Sequence, residues 1–411
     1  MDPSDRERLA LAGVVFAVLF SQVLLYPGVP QLVAELGAEA GTSPLATTEI
    51  DASMWFLVAE FAAYVAFVGV WGVLSDRAGR RVPFVIAGAI GAAIGYVALA
   101  LVPSVPGLGF EAALAIRVAQ GAMTIGAFSL AITMLMDLEG GHGRNMGAAG
   151  IAIGLGAALG APVGGQLTDV TPIAPLLGAA TLMVLVAGAM AFVPDRAPTG
   201  RRTARAIVDR VRRTPTLSVP YAFGFVDRLT AGFFALVGTL YFQQEFGLSA
   251  GETGLMLACF FAPFALLQYP MGVLSDRIGR AIPIVVGSLW YGVGIMVVGW
   301  APSVPLAALS MVFVGVLGAL VAPATMALVT DLAGAGERGV AMAGFNLAGS
   351  VGFLAGFLVG GGVASVYGFP PAFLVAGGLE VLIAVGLAPV FVRLGLGAVS
   401  SVDGTGRQAP E

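Results

Sequence analysis

Lysine is missing from this chain: all 20 of its basic residues are Arg. Histidine and cysteine occur once each, as His142 and Cys259. A single Cys excludes an internal disulfide, and one His with one Cys leaves almost no material for a metal site or a Cys/His nucleophile pair. Without Lys there is no Gly-x-x-x-x-Gly-Lys-Ser/Thr loop to grip a nucleotide, which excludes an ATP-driven motor. No other nucleophile–base constellation is present, so the chain is not expected to be an enzyme. Charge is scarce throughout. Asp, Glu and Arg make up 11% of the 411 residues, against roughly 25% in a soluble globular protein. A surface so poor in charge cannot be solvated by water, so the solvent must be lipid.

What is abundant fits that solvent. Hydrophobic residues make up 58% of the chain, Gly occurs 59 times, and the mean hydropathy is +0.94. Gly at this level suits membrane helices that pack closely. A membrane-crossing helix needs about 20 largely apolar residues, and this rule predicts twelve spans. Spans 1 to 6 fall near 9–27, 53–74, 82–102, 110–137, 146–168 and 172–193, and spans 7 to 12 near 217–242, 253–274, 282–301, 305–331, 340–363 and 371–393. The first ten residues mix acids with Arg, so the N-terminus reads as a retained first span instead of a signal peptide. The expected class is an all-α integral membrane protein.

Every Arg except Arg117 and Arg228 falls in a segment that is cytoplasmic when the N-terminus is inside. The opposite segments carry only acids, among them Glu35, Glu49, Asp51, Glu111, Asp169, Glu245 and Glu252. The positive-inside rule then places both termini in the cytoplasm, and a pI near 5.2 with no Lys is consistent with a prokaryotic cell membrane.

Between spans 2 and 3 the chain reads Gly72-Val-Leu-Ser-Asp76-Arg77-Ala-Gly79-Arg80-Arg81. Between spans 8 and 9 it reads Gly272-Val-Leu-Ser-Asp276-Arg277-Ile-Gly279-Arg280-Ala281, identical at eight of ten positions. Asp137 ends span 4 and Asp331 ends span 10, each with an Arg (Arg144, Arg338) seven residues on. The chain is therefore a tandem: an N-terminal half 1–193, a basic linker 194–216, a C-terminal half 217–393 and a short tail 394–411. In the linker, Arg201, Arg202, Arg205, Arg210, Arg212 and Arg213 surround Ile207, Val208 and Val211, which fits either an amphipathic surface helix or a solvated linker.

The repeated turn resembles the signature of the major facilitator superfamily, and the resemblance covers 9–393. It implies two pseudo-symmetric six-helix bundles and a central site reached alternately from each side. Gly72, Gly79, Gly272 and Gly279 would permit tight turns and close helix approach. Asp76, Arg77, Arg80, Asp137, Asp276, Arg277, Arg280 and Asp331 would latch the halves together in one state and release them in the other. Span 4 reads Arg117-x-x-Gln120-Gly121-x-x-Thr124, similar to the Arg-x-x-Gln-Gly motif of proton-linked members. Glu60 in span 2 lies at a depth like that of Arg117, about 10 Å from the outer boundary at about 1.5 Å per residue. The two are expected to couple, because a carboxyl beside an Arg changes its proton affinity as its neighbours move; the alternative partner for Glu60 is Tyr64, one turn away. Span 5, with Gly156, Gly160, Pro162, Gly164 and Gly165, is similar to the antiporter signature, although Ala161 stands where that signature has Pro. Gly352 and Gly356 echo the stripe in span 11, and small residues at this spacing let helix backbones touch. Pro162 is expected to bend its helix.

Further candidates follow from depth. Asp227 and Arg228 lie near the middle of span 7 and Glu380 lies in span 12, where it is a candidate partner for Arg228. Asp227 shares a helical face with Thr230 and Phe234. Gln22 and Tyr26 of span 1, Gln120 and Thr124 of span 4, Arg228, Thr230 and Phe234 of span 7, and Asn346 and Ser350 of span 11 are candidates to line a mostly apolar cavity; the alternative for Gln22, Tyr26, Asn346 and Ser350 is hydrogen bonding between helices. Span 1 has no acid between Leu9 and Tyr26, so a proton acceptor would be Glu60, Asp227 or Glu380. The resemblance is closest to the drug/proton antiporters. It implies a monomer in the lipid bilayer that exports small apolar or amphipathic compounds against protons. No cofactor and no nucleic acid are expected, the proton gradient being the energy source. The alternatives are a metabolite or organic-ion symporter or facilitator and, remotely, a transporter-like receptor.

Overall fold

In hydrocarbon every backbone N–H and C=O must find a partner inside the chain, and a helix supplies one for each. The computed structural model describes residues 3–38, 45, 47–138, 142–195, 212–333 and 338–393, and each apolar run within them is helical. Span 1 is Pro3–Val23, extended by a 3-10 turn Tyr26–Gly28 and a short helix Val29–Glu35. Spans 2 to 6 are Glu49–Ala78, Val82–Leu101, Phe110–Asp137, His142–Val170 and Ala174–Met190. Span 7 is Ser218–Phe233, carried on by a π-helical turn Phe234–Gly238 and the helix Thr239–Phe246. Spans 8 to 12 are Ala250–Ile278, Ala281–Val298, Val304–Leu332, Arg338–Tyr367 and Phe369–Arg393. Eleven of these stretches are long and apolar enough to cross a membrane, and Ala174–Met190 is a shorter apolar helix. The fold is the twelve-helix, two-bundle arrangement expected. Residues 196–211 of the linker and the tail 394–411 lie outside the described residues.

The repeat extends to the helix ends. Span 2 starts on a capping box in which the Thr48 side chain accepts from the backbone N–H of Asp51 and the Asp51 carboxylate accepts from the N–H of Thr48. Span 8 starts on the same device built from Ser249 and Glu252. Such boxes satisfy N–H groups that the first helical turn leaves unpaired. Spans 2 and 8 then stop at Gly79 (φ 63°) and Gly279 (φ 85°), in the backbone region that disfavours side chains. Gly72 has a different setting: it is helical, and a Cβ added there would meet nothing within 4 Å. The close approach expected at Gly72 is absent.

Two glycine stripes set the packing of span 5. Gly156 and Gly160 lie against the backbone of Phe16 and Phe20, and Gly164 against Leu24, all in span 1. Gly165 faces the other way, against Ala250 in span 8, and Gly254 of span 8 returns the contact at Ala161 and Pro162. The helix runs through Pro162. Span 11 repeats the first stripe: Gly352 and Gly356 lie against Phe225 and Leu229, and Gly360 against Phe233, in span 7.

The halves meet at the end opposite the repeated turns. Gln243 Nε2 donates to the Pro27 carbonyl at 2.7 Å and its Oε1 accepts from Gln31 at 2.9 Å. Asp169, at the end of span 5, accepts at 3.0 Å from both the Ser249 hydroxyl and the Gly251 N–H at the start of span 8. Below this layer Phe61 of span 2 stacks on Phe353 of span 11 at 4.6 Å, with Phe357 edge-on at 5.2 Å. Further toward the turns, protein no longer covers Phe67, Val70, Val73 and Leu74 of span 2, or Leu266, Tyr269 and Leu274 of span 8. The halves are sealed at one end; toward the turns spans 2 and 11 lose their cover, while spans 5 and 8 stay together as far as Gly154 against Ala265 and Gly150 near Gln268.

Candidate functional site

Each half carries a buried polar centre. In the N-terminal half Glu60 and Arg117 are both 0% exposed, and Arg117 Nη2 donates to Glu60 Oε2 at 2.6 Å. Arg117 Nη1 donates to Gln120 Oε1 at 2.7 Å, and Gln120 Nε2 donates to the Thr124 hydroxyl at 2.6 Å. The i, i+3, i+7 spacing of span 4 thus becomes one chain of donors. The guanidinium lies over the Phe56 ring, 4.6 Å from its centroid, and 5.8 Å from that of Tyr96. The Tyr64 hydroxyl is 3.4 Å from Glu60 Oε1, so both partners foreseen for Glu60 are in place, the Arg much the nearer. Gly121 lets the two spans close, since a Cβ there would come within 2.8 Å of the Glu60 carbonyl oxygen. Glu60 lies deeper than its sequence position implied, because span 2 begins at Glu49.

The centre of the C-terminal half has another composition. Glu380 is 0% exposed and Asp227 is 7% exposed. The Thr230 hydroxyl is 3.3 Å from Glu380 Oε1, while Glu380 Oε2 is buried with no hydrogen-bond partner. Asp227 and Glu380 act on one another electrostatically, and both act on the buried Tyr291 of span 9. Spans 9 and 12 come together where Gly292 meets Gly377 and the Cβ of Glu380. The pairing anticipated between Arg228 and Glu380 does not form. Adjacent residues on a helix point about 100° apart, so with Asp227 facing Glu380, Arg228 is carried to another face and lies beside Gly349 of span 11.

The repeated turns are tied within their own halves. Arg81 pairs with Asp137, and Arg80 Nε donates to Asp195 at 3.3 Å. The second Asp195 oxygen accepts from the N–H groups of Arg81 at 2.9 Å and Val82 at 3.3 Å, capping span 3. In the other copy Arg280 donates to Asp331 at 3.1 Å and pairs with Asp276 at 2.5 Å. Burial disfavours the Arg280 charge, but the hydrogen bonds with Asp331 and Asp276 outweigh that and raise its pKa above the ordinary arginine value. Asp76, Arg77 and Arg277 take no part in these pairs. Among the described residues neither turn makes an ion pair with the opposite half.

Of the residues expected to line a cavity, Gln22, Tyr26, Gln120, Thr124, Thr230 and Phe234 are buried inside their own halves. Gln120 and Thr124 bond within span 4 and the Thr230 hydroxyl reaches Glu380 of span 12, whereas Gln22 Nε2 is without a partner among the described residues. Arg228, Asn346 and Ser350 remain partly open. Sequence reasoning missed Tyr96, Tyr291, Phe56 and the capping role of Asp195. A tyrosine deep in an apolar span is a usable signal, since its hydroxyl needs a partner.

Comparison with known proteins agrees with this geometry. The family model of the Major Facilitator Superfamily matches residues 11–236 and 221–405. The chain belongs to the major facilitator superfamily. It is 32% identical over 137 residues to an uncharacterised MFS-type transporter of Methanocaldococcus jannaschii, 33% of this chain and 35% of that protein. It is 30% identical to multidrug resistance protein 1 of Bacillus subtilis over 30% of this chain and 31% of that protein. It is 28% identical to the class G tetracycline resistance protein of Vibrio anguillarum over 58% of this chain and 61% of that protein. These matches span between about a third and three fifths of the curated relatives' lengths. Among solved structures, the human organic anion transporter MFSD10 superposes with a TM-score of 0.70 at 22% identity, over 94% of this chain and 99% of that one. A D-xylose–proton symporter superposes with a TM-score of 0.74 at 15% identity, over 93% and 96%. At such identities the superpositions speak for the fold.

Proposed function

We propose that the protein is a secondary active transporter that moves small amphipathic compounds out of the cell against protons, by alternating access between its two halves. The observation that carries this reading is the Glu60–Arg117 pair. It is sealed from solvent, and Glu60 is adjacent in sequence to Phe61, the ring that closes the gap between the halves. Protonating Glu60 removes the anion that holds Arg117. The freed guanidinium must then seek other acceptors, which shifts span 2 against span 4 and strains the Phe61–Phe353 stack. Proton binding at the pair and opening of the seal are thereby one mechanical event. Names among the relatives, multidrug and tetracycline resistance proteins, support the outward direction.

In this reading the turns of Asp76 and Asp276 lie at the cytoplasmic face and the structure is inward-facing. The protein works as a monomer in a prokaryotic cytoplasmic membrane with both termini inside. Asp76, Arg77 and Arg277, which make no ion pair among the described residues, latch the halves in the outward-facing state. A metabolite or organic-ion symporter shares this geometry and differs in the direction of proton movement.

The test is flux in proteoliposomes carrying an imposed pH gradient, over a panel of amphipathic compounds. Substrate addition is expected to evoke proton movement opposite to the substrate. Glu60→Gln is expected to abolish gradient-driven accumulation and to leave substrate exchange intact. Uphill transport that ignores a protonophore, or full coupling in Glu60→Gln, overturns the proposal.

A further inference from the structure

Span 7 is nearly all buried, but Tyr221, Phe225, Arg228 and Ala231 form a half-buried stripe at helical spacing. The stripe ends where the helix enters the sealed layer, for Ala235 is fully buried. Arg228 is ten residues into the helix that begins at Ser218, about 15 Å along its axis. A Cβ added at Gly349 would lie 3.0 Å from Arg228 Cγ and 3.7 Å from its Nη1, so the side chain runs along that glycine. One turn further along span 11, Phe353 reaches the other half and stacks on Phe61. Arg228 therefore lies one turn below the aromatic seal, on the parted side. Asn346 and Ser350 are on the same face of span 11 as Phe353 and are partly open.

Among the described residues Arg228 makes no ion pair and no hydrogen bond. Asp227 acts on it electrostatically without an ion-pair contact, and acts on Glu380 as well. The other intramembrane Arg, Arg117, is neutralised by Glu60 and sealed. An unpaired guanidinium at this depth is costly, and its fork of donors matches a carboxylate.

We propose that Arg228, with Asn346 one turn along span 11 from Gly349, is an anion subsite, and that the transported compounds are amphipathic organic anions. Their charged group docks on Arg228 and their apolar body lies along Phe225 and the underside of Phe353. The inference rests on the transporter reading for what is carried, but not on the direction of transport or its coupling.

The experiment is binding to the purified full-length protein in detergent, without any gradient. The probes are 4-phenylbutyrate, its neutral amide 4-phenylbutyramide and the cation 4-phenylbutylamine. The carboxylate is expected to bind at least tenfold more tightly than the amide, and the amine more weakly than either. Arg228→Gln is expected to bring carboxylate and amide within twofold of each other, Arg228→Lys to keep part of the preference, and Asn346→Ala to weaken the carboxylate alone by a few-fold. If Arg228→Gln folds poorly, the charge-balanced Asp227→Asn/Arg228→Gln variant gives the same readout. Equal binding of carboxylate and amide by the wild type, preference for the amine, or a preference that survives loss of Arg228 overturns the proposal. Anion preference in detergent without proton-driven flux in vesicles defeats only the coupling reading. Proton-driven flux with no charge preference defeats only the subsite.

Discussion

The two halves match contact for contact but not charge for charge. Gly121 lies against the backbone of Glu60, and Gly315 against that of Phe260. Counted from the paired turns and from Asp137 and Asp331, Phe260 stands where the first half has Glu60, and Met311 where it has Arg117. The glycine stripes set a second register, Gly156 and Gly160 on Phe16 and Phe20, Gly352 and Gly356 on Phe225 and Leu229. It places Asp227 and Arg228 opposite Val18 and Leu19. Each half is ionic where the other is apolar. Backbone-to-backbone contact tolerates only small residues, so the repeat retains it, whereas the side chains around the contact are free to diverge. The N-terminal centre is a closed, neutral pair. The C-terminal centre has two acids facing each other and a cation facing the gap between the halves. In the proposed reading the first exchanges a proton without meeting substrate, and the second meets substrate.

Breaking the neutral centre should have the largest effect. Arg117→Ala leaves the Glu60 carboxylate buried without its cation, and stranding a buried charge costs about 3–5 kcal/mol. Thermal unfolding in detergent is expected to show a loss of that size together with abolished transport. Glu60→Gln/Arg117→Met should recover most of the stability and none of the coupling. If the double variant is as unstable as Arg117→Ala, the pair is not the neutral unit described.

Packing comes next, and here the halves should respond alike. Gly164→Ala drives a methyl onto the Leu24 carbonyl, and Gly356→Ala drives one onto that of Leu229. Overpacking of this kind costs about 1–3 kcal/mol, and similar losses in melting temperature are expected. Gly165→Ala meets Ala250 across the halves instead. It is expected to spare stability and to raise labelling of cysteines introduced below the seal from the outer side. If Gly165→Ala only destabilises, the seal is not a moving contact.

The contrast sharpens with Glu380→Gln. Glu380 has no cation at hand, and its Oε2 has no partner. The amide keeps the acceptor for Thr230 and removes charge from beside Asp227. A gain of up to about 1 kcal/mol is expected, opposite in sign to the loss at Arg117, because an unpaired buried charge is a net cost. A loss of stability on Glu380→Gln would mean that Glu380 is not an uncompensated charge, the cost being that of amide N–H donors placed where Oε2 has no partner.

Much of this was legible beforehand for identifiable reasons. Span number follows from bilayer thickness, and the tandem from identical turns. The Glu60–Arg117 pair was accessible because matching depth on neighbouring spans is nearly enough to define a contact. Rotation of a helix about its axis is not encoded so locally. Arg228 was matched to Glu380 by depth alone, and the face it occupies is decided by Gly349 in a distant span. Gln120 and Thr124 are buried for a related reason: they share a face with Arg117, and that face turns inward to Glu60. The π-helical turn at Phe234–Gly238 and the Asp195 cap, 114 residues from Arg81 in sequence, leave no local signature.

The smallest effect expected separates the two copies of the repeated turn. In the first, Arg81 takes the acid at the end of span 4, which frees Arg80 for Asp195, and Asp195 in turn caps span 3. In the second, Ala281 stands in place of Arg81, and among the described residues Arg280 alone holds Asp331 and no side chain caps the start of span 9. Asp195→Ala removes an N-terminal cap worth roughly 0.5–1 kcal/mol. Hydrogen exchange should quicken at the start of span 3, near Val82 to Val85, and remain unchanged at the start of span 9, near Ile282 to Val285. Asp331→Ala should do the reverse, loosening the second turn only. Equal loosening of both turns by either variant would mean that they communicate across the parted end, and that the separation of the halves described here is not the resting arrangement.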